Sequence, residues 1–441
     1  MRRKMVLIGA GSSVFAKGLI LDLIGRKEEQ WHLSLVDIDE KALESIYVLG
    51  SKMIKQKGAD IVLDRSTDRR DVLSGANYVV TTIGVGGRRA WEQDVFIPRK
   101  YGLFQSVGDA TGPGGVSRTM RMIPPMVEIA RDVQKYCSGA FLFNFANPMT
   151  QICQAVAQAA GYPVAGLCHG VPNGKRRIAQ LMGIPEEELT ISAAGLNHMV
   201  YIYDMQFEGR DCFPDVINKL TQVSGRRVIG QNNDEVVGPL SEQFMRDYHT
   251  VVVSNDRHFA EFHAWCFEEK GYFGKTLGVD AFSFEKTIEE GDKVYEETAK
   301  YAHWEGDLPE EVFFREEGEQ EQLTGIIDSM LYDRKKIFYI NLPNQGAIPA
   351  VNDRSVIERD TVVSAKGLCP LACPNYPMPL TGFISVWLGI YDLMNEAALT
   401  GNPQLMLDAM CAEGYIRDIK KGRQMVDELI RAQINYLPQF R

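Results

Sequence analysis

Over the first 85 residues, short apolar runs alternate with stretches whose apolar residues recur at helical spacing. "KMVLIGAG" (4–11) is a compact apolar strand that ends in glycines, and "SSVFAKGLILDLI" (12–24) spaces its apolar residues as a helix does. "HLSLVDID" (32–39) predicts a second strand closed by acids, and "EKALESIYVLGSKMIKQKG" (40–58) a second helix closed by Gly58. A third strand is predicted at "ADIVLDRS", a short helix at "DRRDVL" and a fourth strand at "ANYVVTTIG". "AFLFNFANPM" (140–149) and "PVAGLCHG" (163–170) read as further strands, with the helix "TQICQAVAQAAG" between them. Such β–α alternation predicts a doubly wound parallel sheet.

The pattern changes near Gly195. "MVYIYDMQFEGRD" (199–211) alternates like an antiparallel strand pair, and long amphipathic stretches follow at 283–301, 382–399 and 412–436. The expected fold class is therefore α/β: a Rossmann-like doubly wound sheet over residues 1–195 and a mixed α+β second domain over 196–441. No internal repeat, low-complexity tract or long linker separates the halves.

Composition narrows the function. The chain has 441 residues, 45% hydrophobic and 24% charged, with a formal net charge of -10, so a general nucleic-acid or acidic-membrane surface is not expected. The apolar run after the basic start "MRRK" is too short for a signal peptide or a membrane span and breaks at Gly9 and Gly11. Eight cysteines at irregular spacing fit reduced thiols and a cytoplasmic setting. Cys369 and Cys373 in "CPLACP" lack a second pair and do not read as a zinc site.

The strand–glycine–helix junction carries the first candidate chemistry. In "LIGAGSSVF", Gly9 allows a tight turn, Gly11 lets the backbone approach a pyrophosphate, and Ser12 opens the helix whose N–H groups face it. Val14 stands where a third glycine is usual. Asp37, ending the second strand, is placed to accept the ribose hydroxyls and to repel a 2′-phosphate, which favours NAD over NADP. "TTIGVGG" (81–87), with Gly84, is a second glycine loop along the cofactor path. Asn147 of "NP" follows another strand, the arrangement of lactate and malate dehydrogenases, so a 2-hydroxyacid dehydrogenase is an alternative. Against it, the chain is longer than such enzymes and lacks their catalytic-histidine stretch.

Cys168 and His169 in "GLCHGVP" and His198 in "GLNHMVY" can be read three ways: a metal pair, a nucleophile with its base, or buried side chains. The ordered set "GAGSSVF", "VGGRRAWEQDVFIPRKYG", "DATGPGGVSRTMRMIP", "NFANPM", "LCHGVP", "GLNHMVY" and "RHFAEF" resembles glycoside hydrolase family 4 over nearly the whole chain. That resemblance implies NAD- and Mn²⁺-dependent hydrolysis. The sugar C3 is oxidised, the C2 proton removed, the leaving oxygen eliminated, water added and the ketone reduced. It implies Cys168 and His198 as metal ligands. It also implies Asp256 as the C2 base, because the tyrosine of other members is here Phe262, and His169 at the position of the acid. His258 and Asn147 are expected to contact substrate, with Asp109 and Thr111 near the substrate loop and "NLPNQGAIPAVND" (341–353) bordering the site.

Trp91 stands where phosphosugar members carry a phosphate-binding arginine, and "CHGV" resembles the α-galacturonidase type. A uronate carboxylate calls for an arginine fork, with Arg88, Arg89, Arg118 and Arg257 as candidates. The resemblance thus implies an α-galacturonidase of small pectin-derived oligosaccharides, with α-galactosidase and α-glucuronidase as alternatives and a homodimer or homotetramer as the assembly.

Overall fold

The computed structural model describes residues 2–27, 29–223, 238–267, 284–314 and 322–441. Six parallel strands form its first half: β1 (Arg3–Ile8), β2 (Trp31–Val36), β3 (Ile61–Ser66), β4 (Tyr78–Thr81), β5 (Phe141–Asn144) and β6 (Val164–Leu167). They lie in the order β3-β2-β1-β4-β5-β6, the doubly wound order that leaves a crevice where the connections reverse beside β1. Seven strands from the second half extend the same sheet: β7 (Leu189–Leu196), β8 (Met199–Phe207), β9 (Arg210–Asp211), β10 (Val251–Val252), β11 (Lys336–Pro343), β12 (Val356–Ser364) and β13 (Gly367–Pro370). β11 joins antiparallel to β6, and the order continues β12-β7-β8-β10, with β13 beside β12 and β9 beside β8. The division expected near residue 195 falls at the end of β7, on a sheet that runs on past it.

The helices are α1 (Ser13–Gly25), α2 (Glu40–Lys57), α3 (Gly87–Lys100), α4 (Gly112–Tyr136), α5 (Met149–Ala155), α6 (Gly170–Met182), α7 (Phe213–Val223), α8 (Pro239–Tyr248), α9 (Asp256–Phe259), α10 (Phe284–Ala302), α11 (Gln322–Tyr332), α12 (Met378–Thr400), α13 (Pro403–Ala412) and α14 (Ile419–Gln433). They cover both faces of the sheet. The alternation along β1 shows why a parallel strand reads as a continuous apolar run: Met5 and Leu7 enter one core while Val6 and Ile8 enter the opposite one. Capping agrees with the sequence at α2, where the Asp39 carboxylate accepts from the Lys41 and Ala42 N–H groups and Gly58 takes the left-handed conformation at the other end.

The amphipathic stretch 412–436 begins at the last residue of α13, Ala412, and holds α14 from Ile419. Gly414 at φ 85° turns the chain, and the Asp418 carboxylate caps α14 through the Lys420 and Lys421 N–H groups. No helix among the described residues is long and apolar enough to cross a membrane.

Candidate active site

The crevice beside β1 opens into a cavity of about 780 Å³. Gly9 has φ 93°, and a Cβ on it would stand 2.7 Å from the Ile83 nitrogen and the Thr82 carbonyl carbon, so the turn after β1 packs directly on the turn after β4. A Cβ on Gly11 would stand 2.7 Å from Asp37 Oδ2, the atom to which the Gly11 N–H donates at 2.7 Å. Asp37 Oδ1 accepts from the Asp39 N–H at 2.9 Å. Burial pushes the Asp37 carboxyl above its ordinary value. Ser12 stands at the start of α1, and Gly84 lines the same cavity, as do Tyr295 and Tyr436 from the second half of the chain.

Outside the lining of this cavity, three side chains from distant segments meet. Asp109 lies between α3 and α4, His198 in the β7–β8 turn and His258 in α9. Asp109 Oδ1 is 3.8 Å from His198 Nδ1 and 3.9 Å from His258 Nδ1, and the two imidazole centroids are 4.2 Å apart. All three facing atoms are buried and lack a hydrogen-bond partner among the described residues. Burial lowers the pKa of His198, and burial with the neighbouring His198 lowers that of His258 further, so both rings are neutral and carry a lone pair at neutral pH. Burial alone would raise Asp109, but His198, His258, Arg118 and the Asn147 hydrogen bond outweigh it and the net direction is down.

The backbone explains how these residues converge. β7 and β8 pair up to Leu196 and Met199, which leaves Asn197 and His198 as a two-residue turn. His198 holds φ 67°, a left-handed conformation that a β-carbon disfavours and surrounding contacts must impose. Those contacts are visible. The Asn197 N–H donates to Thr150 Oγ1 at 3.1 Å, and Asn197 Nδ2 and Asn341 Nδ2 donate to Glu358 Oε2 at 3.4 and 2.9 Å. Burial raises the Glu358 carboxyl to about 7. The Asp109 loop is gripped by Glu261, whose carboxylate accepts from the Val107 N–H at 2.7 Å and the Gly108 N–H at 2.8 Å. Glu261 lies three residues after His258, so the same contact ties the two segments together. Asn147, after β5, donates Nδ2 to Asp109 Oδ2 at 3.0 Å, and its own carbonyl accepts from Arg118 Nε at 3.1 Å.

The remaining candidates are placed as follows. Cys168 directly follows β6, half-buried, and its Sγ accepts from the Gly170 N–H at 3.4 Å. Burial pushes its thiol up to about 12. His169 is the half-buried residue just before α6. Asp256 opens α9. Its Oδ2 accepts from the Leu240 N–H at 2.7 Å, and its Oδ1 from the Ser241 N–H at 3.0 Å and the Ser241 hydroxyl at 2.5 Å. The carboxylate is buried against the start of α8, a helix-anchoring geometry that gives no support to a role as base. Phe262 packs in the core against Trp387, away from any proton-transfer position. Among the arginines, Arg88 is engaged within the chain. It donates to Asp292 of α10 at 2.5 and 2.7 Å and lies over the Tyr295 ring, and Arg89 pairs with Asp292 and Glu92. Arg118 has no carboxylate at ion-pair distance among the described residues; it borders the cofactor cavity, beside Trp91.

Comparison with known proteins bears directly on this arrangement. A model of the family 4 glycosyl hydrolases matches residues 4–184, and a model of the family 4 glycosyl hydrolase C-terminal domain matches 193–415. The chain belongs to glycoside hydrolase family 4. It is therefore a glycosidase, and the dehydrogenase alternative is set aside. This family 4 chain is 26% identical to an α-glucosidase of Erwinia rhapontici, covering 99% of this chain and 100% of that one. It is also 26% identical to an α-galacturonidase of Thermoanaerobacter italicus, over 98% and 97% of the two chains. A crystal structure of a 6-phospho-α-glucosidase from gut microorganisms, in complex with NAD and Mn²⁺, superposes with a TM-score of 0.85 at 18% identity over the full length of both. The shared fold includes the added antiparallel strands as well as the parallel half.

Sequence reasoning missed the supporting shell. Glu261, Glu358, Asn197 and Asn341 are spread over 161 positions yet serve one site, and only Asn197, beside a recognised histidine, had a local signal.

Proposed function

We propose that this family 4 enzyme is an NAD- and Mn²⁺-dependent α-galacturonidase acting on small pectin-derived oligosaccharides in the cytoplasm, as a homodimer or homotetramer. Residues 1–195 hold the cofactor, and residues 196–441 complete the metal and substrate side. The observation that carries the uronide reading is Arg118. It is a half-buried guanidinium whose pKa is lowered by burial and by nearby Arg121, and no carboxylate lies at ion-pair distance from it among the described residues. A partly desolvated cation of this kind favours a bound anion, and a C6 carboxylate matches its fork.

When bound, NAD supplies a hydride acceptor and the metal a positive charge on the sugar's O2 and O3. The chain's own groups divide the remaining work. Gly9, Gly11 and Ser12 form the cradle for the pyrophosphate, Asp37 accepts the ribose hydroxyls, and Gly84 borders the same path. Asn147 links the cofactor side to Asp109 through its amide and to Arg118 through its carbonyl. His169, at the mouth of α6 beside Cys168, delivers the proton to the leaving oxygen. The resemblance puts the metal on Cys168 and His198. Three orphaned buried atoms on Asp109, His198 and His258 support a metal here independently.

The test is hydrolysis of digalacturonate, 4-nitrophenyl α-D-galactoside and 4-nitrophenyl α-D-glucuronide, each with and without NAD and Mn²⁺. Cleavage of digalacturonate alone, requiring both cofactors, is the expected result. Cleavage of the galactoside or glucuronide in its place would overturn the galacturonide reading and keep the reaction class.

A further inference from the structure

We propose, on the NAD dependence set out above, that the last turn of the chain belongs to the cofactor site: Tyr436 lays its ring against the bound dinucleotide, and Gln433 positions it there. Both residues lie beyond residue 415, where the match to the family's C-terminal model ends.

The placement starts from a glycine. The loop after β4 lines the cofactor cavity from Thr82 to Gly87, and Tyr436 lines the same cavity from the far end of the chain. Gly86 holds φ 76°, and a Cβ on it would stand 2.9 Å from Tyr436 Cε2. The ring therefore rests on the part of the loop that a side chain would otherwise occupy. Its other surroundings leave the residue 41% exposed. Tyr295, which lines the cavity too, already has the Arg88 guanidinium 4.3 Å from its ring centroid. An aromatic ring left open in a cavity offers a flat apolar surface to a planar heterocycle, and a nicotinamide dinucleotide carries two of those.

The ring is also held from both sides in the sequence. Gln433 closes α14 and is 1% exposed. Its amide oxygen accepts from Arg121 Nη1 at 2.9 Å, and its amide nitrogen donates to Asp94 Oδ1 at 2.8 Å and to the Ser117 hydroxyl at 3.0 Å. Arg121 forks onto the Asp94 carboxylate and donates Nε to the Val85 carbonyl at 2.9 Å. Val85 precedes Gly86, so one buried network grips both the cofactor loop and the helix end three residues before Tyr436. After the tyrosine, Leu437 is buried in the core and Gln439 Nε2 donates to the Met120 carbonyl at 2.7 Å. A ring fixed in advance costs little to order when a ligand arrives, so its contact is kept as affinity.

The experiment uses the full-length protein freed of nucleotide and titrated with NAD in a calorimeter. Tyr436→Ala should weaken NAD binding roughly tenfold and Tyr436→Phe by less than about twofold, because the ring makes the contact and the hydroxyl does not. Gln433→Met, which removes the amide at similar volume, should weaken binding as well. Added to Tyr436→Ala it should cost nothing further, since no ring is left to position. Hydrogen exchange on the unmodified protein needs no variant: the amides of residues 434–441 should slow when NAD is added. Wild-type NAD affinity in Tyr436→Ala, or exchange at 434–441 that NAD leaves unchanged, would overturn the contact. Losses that add in the double variant would overturn the positioning role of Gln433. A wild type that binds no NAD would overturn the cofactor dependence itself.

Discussion

At the scale of single residues, position in the fold separates chemistry from anchoring among groups that look alike in the sequence. Asp109 and Asp256 are both buried aspartates, the first within and the second next to the motifs that carry the family resemblance. Asp109 leaves one oxygen unpartnered beside two imidazoles, whereas Asp256 spends both oxygens on the start of α8. Replacing Asp256 with alanine should therefore act on stability, costing about 1–2 kcal/mol for the lost helix anchor, with turnover per folded enzyme little changed. Chemical denaturation alongside steady-state kinetics checks this. A loss of turnover of about a thousandfold, on the scale of a missing general base, at unchanged stability would return the residue to catalysis. The arginines divide in the same manner: Arg88 and Arg89 answer Asp292, whereas Arg118 donates to the Asn147 carbonyl and lies over the Trp91 ring.

At the scale of elements, the β1–α1–β2 unit was the most legible part of the chain. Its glycines and its acid are local signals: a turn that cannot hold a Cβ and a strand end that faces it. The contact between the Gly11 N–H and Asp37 shows that the two signals belong to one clasp. Asp37→Ser should weaken NAD binding by roughly 10- to 100-fold, the worth of charged hydrogen bonds, and shift preference toward NADP. Fluorescence titration with both cofactors measures it, and unchanged NAD affinity would show that the carboxylate does not meet the ribose. The β7–β8 turn was legible only in part. "GLNHMVY" marks a strand and a histidine, but the left-handed φ of His198 depends on Thr150, Asn341 and Glu358, which belong to other elements. No local window holds that information.

At the scale of the whole molecule, the two halves share one sheet and bury a set of carboxyls whose ionisation the fold disfavours. Burial raises Glu413 and Glu261 to about 8 and Asp360 to about 7. In the unfolded chain these groups lose their protons near pH 4, so across pH 5–8 the native state binds more protons and stability falls as pH rises. Buried His263, lowered to about 4, works in the opposite sense, adding stability as pH rises from about 4 to 6.5. Above about pH 6.5 only the carboxyls remain, and the melting temperature should decline from there to pH 8.5. Glu413→Gln, which keeps an acceptor for the Gly112 N–H, should flatten that decline in calorimetric scans. A slope identical to wild type would exclude Glu413 as a contributor.

Hydrophobic period and glycine punctuation were enough for the sequence to determine the β–α alternation, the doubly wound class, the cofactor loop and the order of family motifs. These depend on neighbours a few positions apart, where strand and helix geometry dictate which residues share a face. Tertiary structure alone decided that Asp109, His198 and His258, up to 149 positions apart, turn unpartnered atoms toward one point. It likewise decided that Asp256 anchors a helix and that Arg118 has no carboxylate at ion-pair distance among the described residues. Such outcomes depend on which buried polar groups satisfy one another, and that is settled only when distant segments pack together.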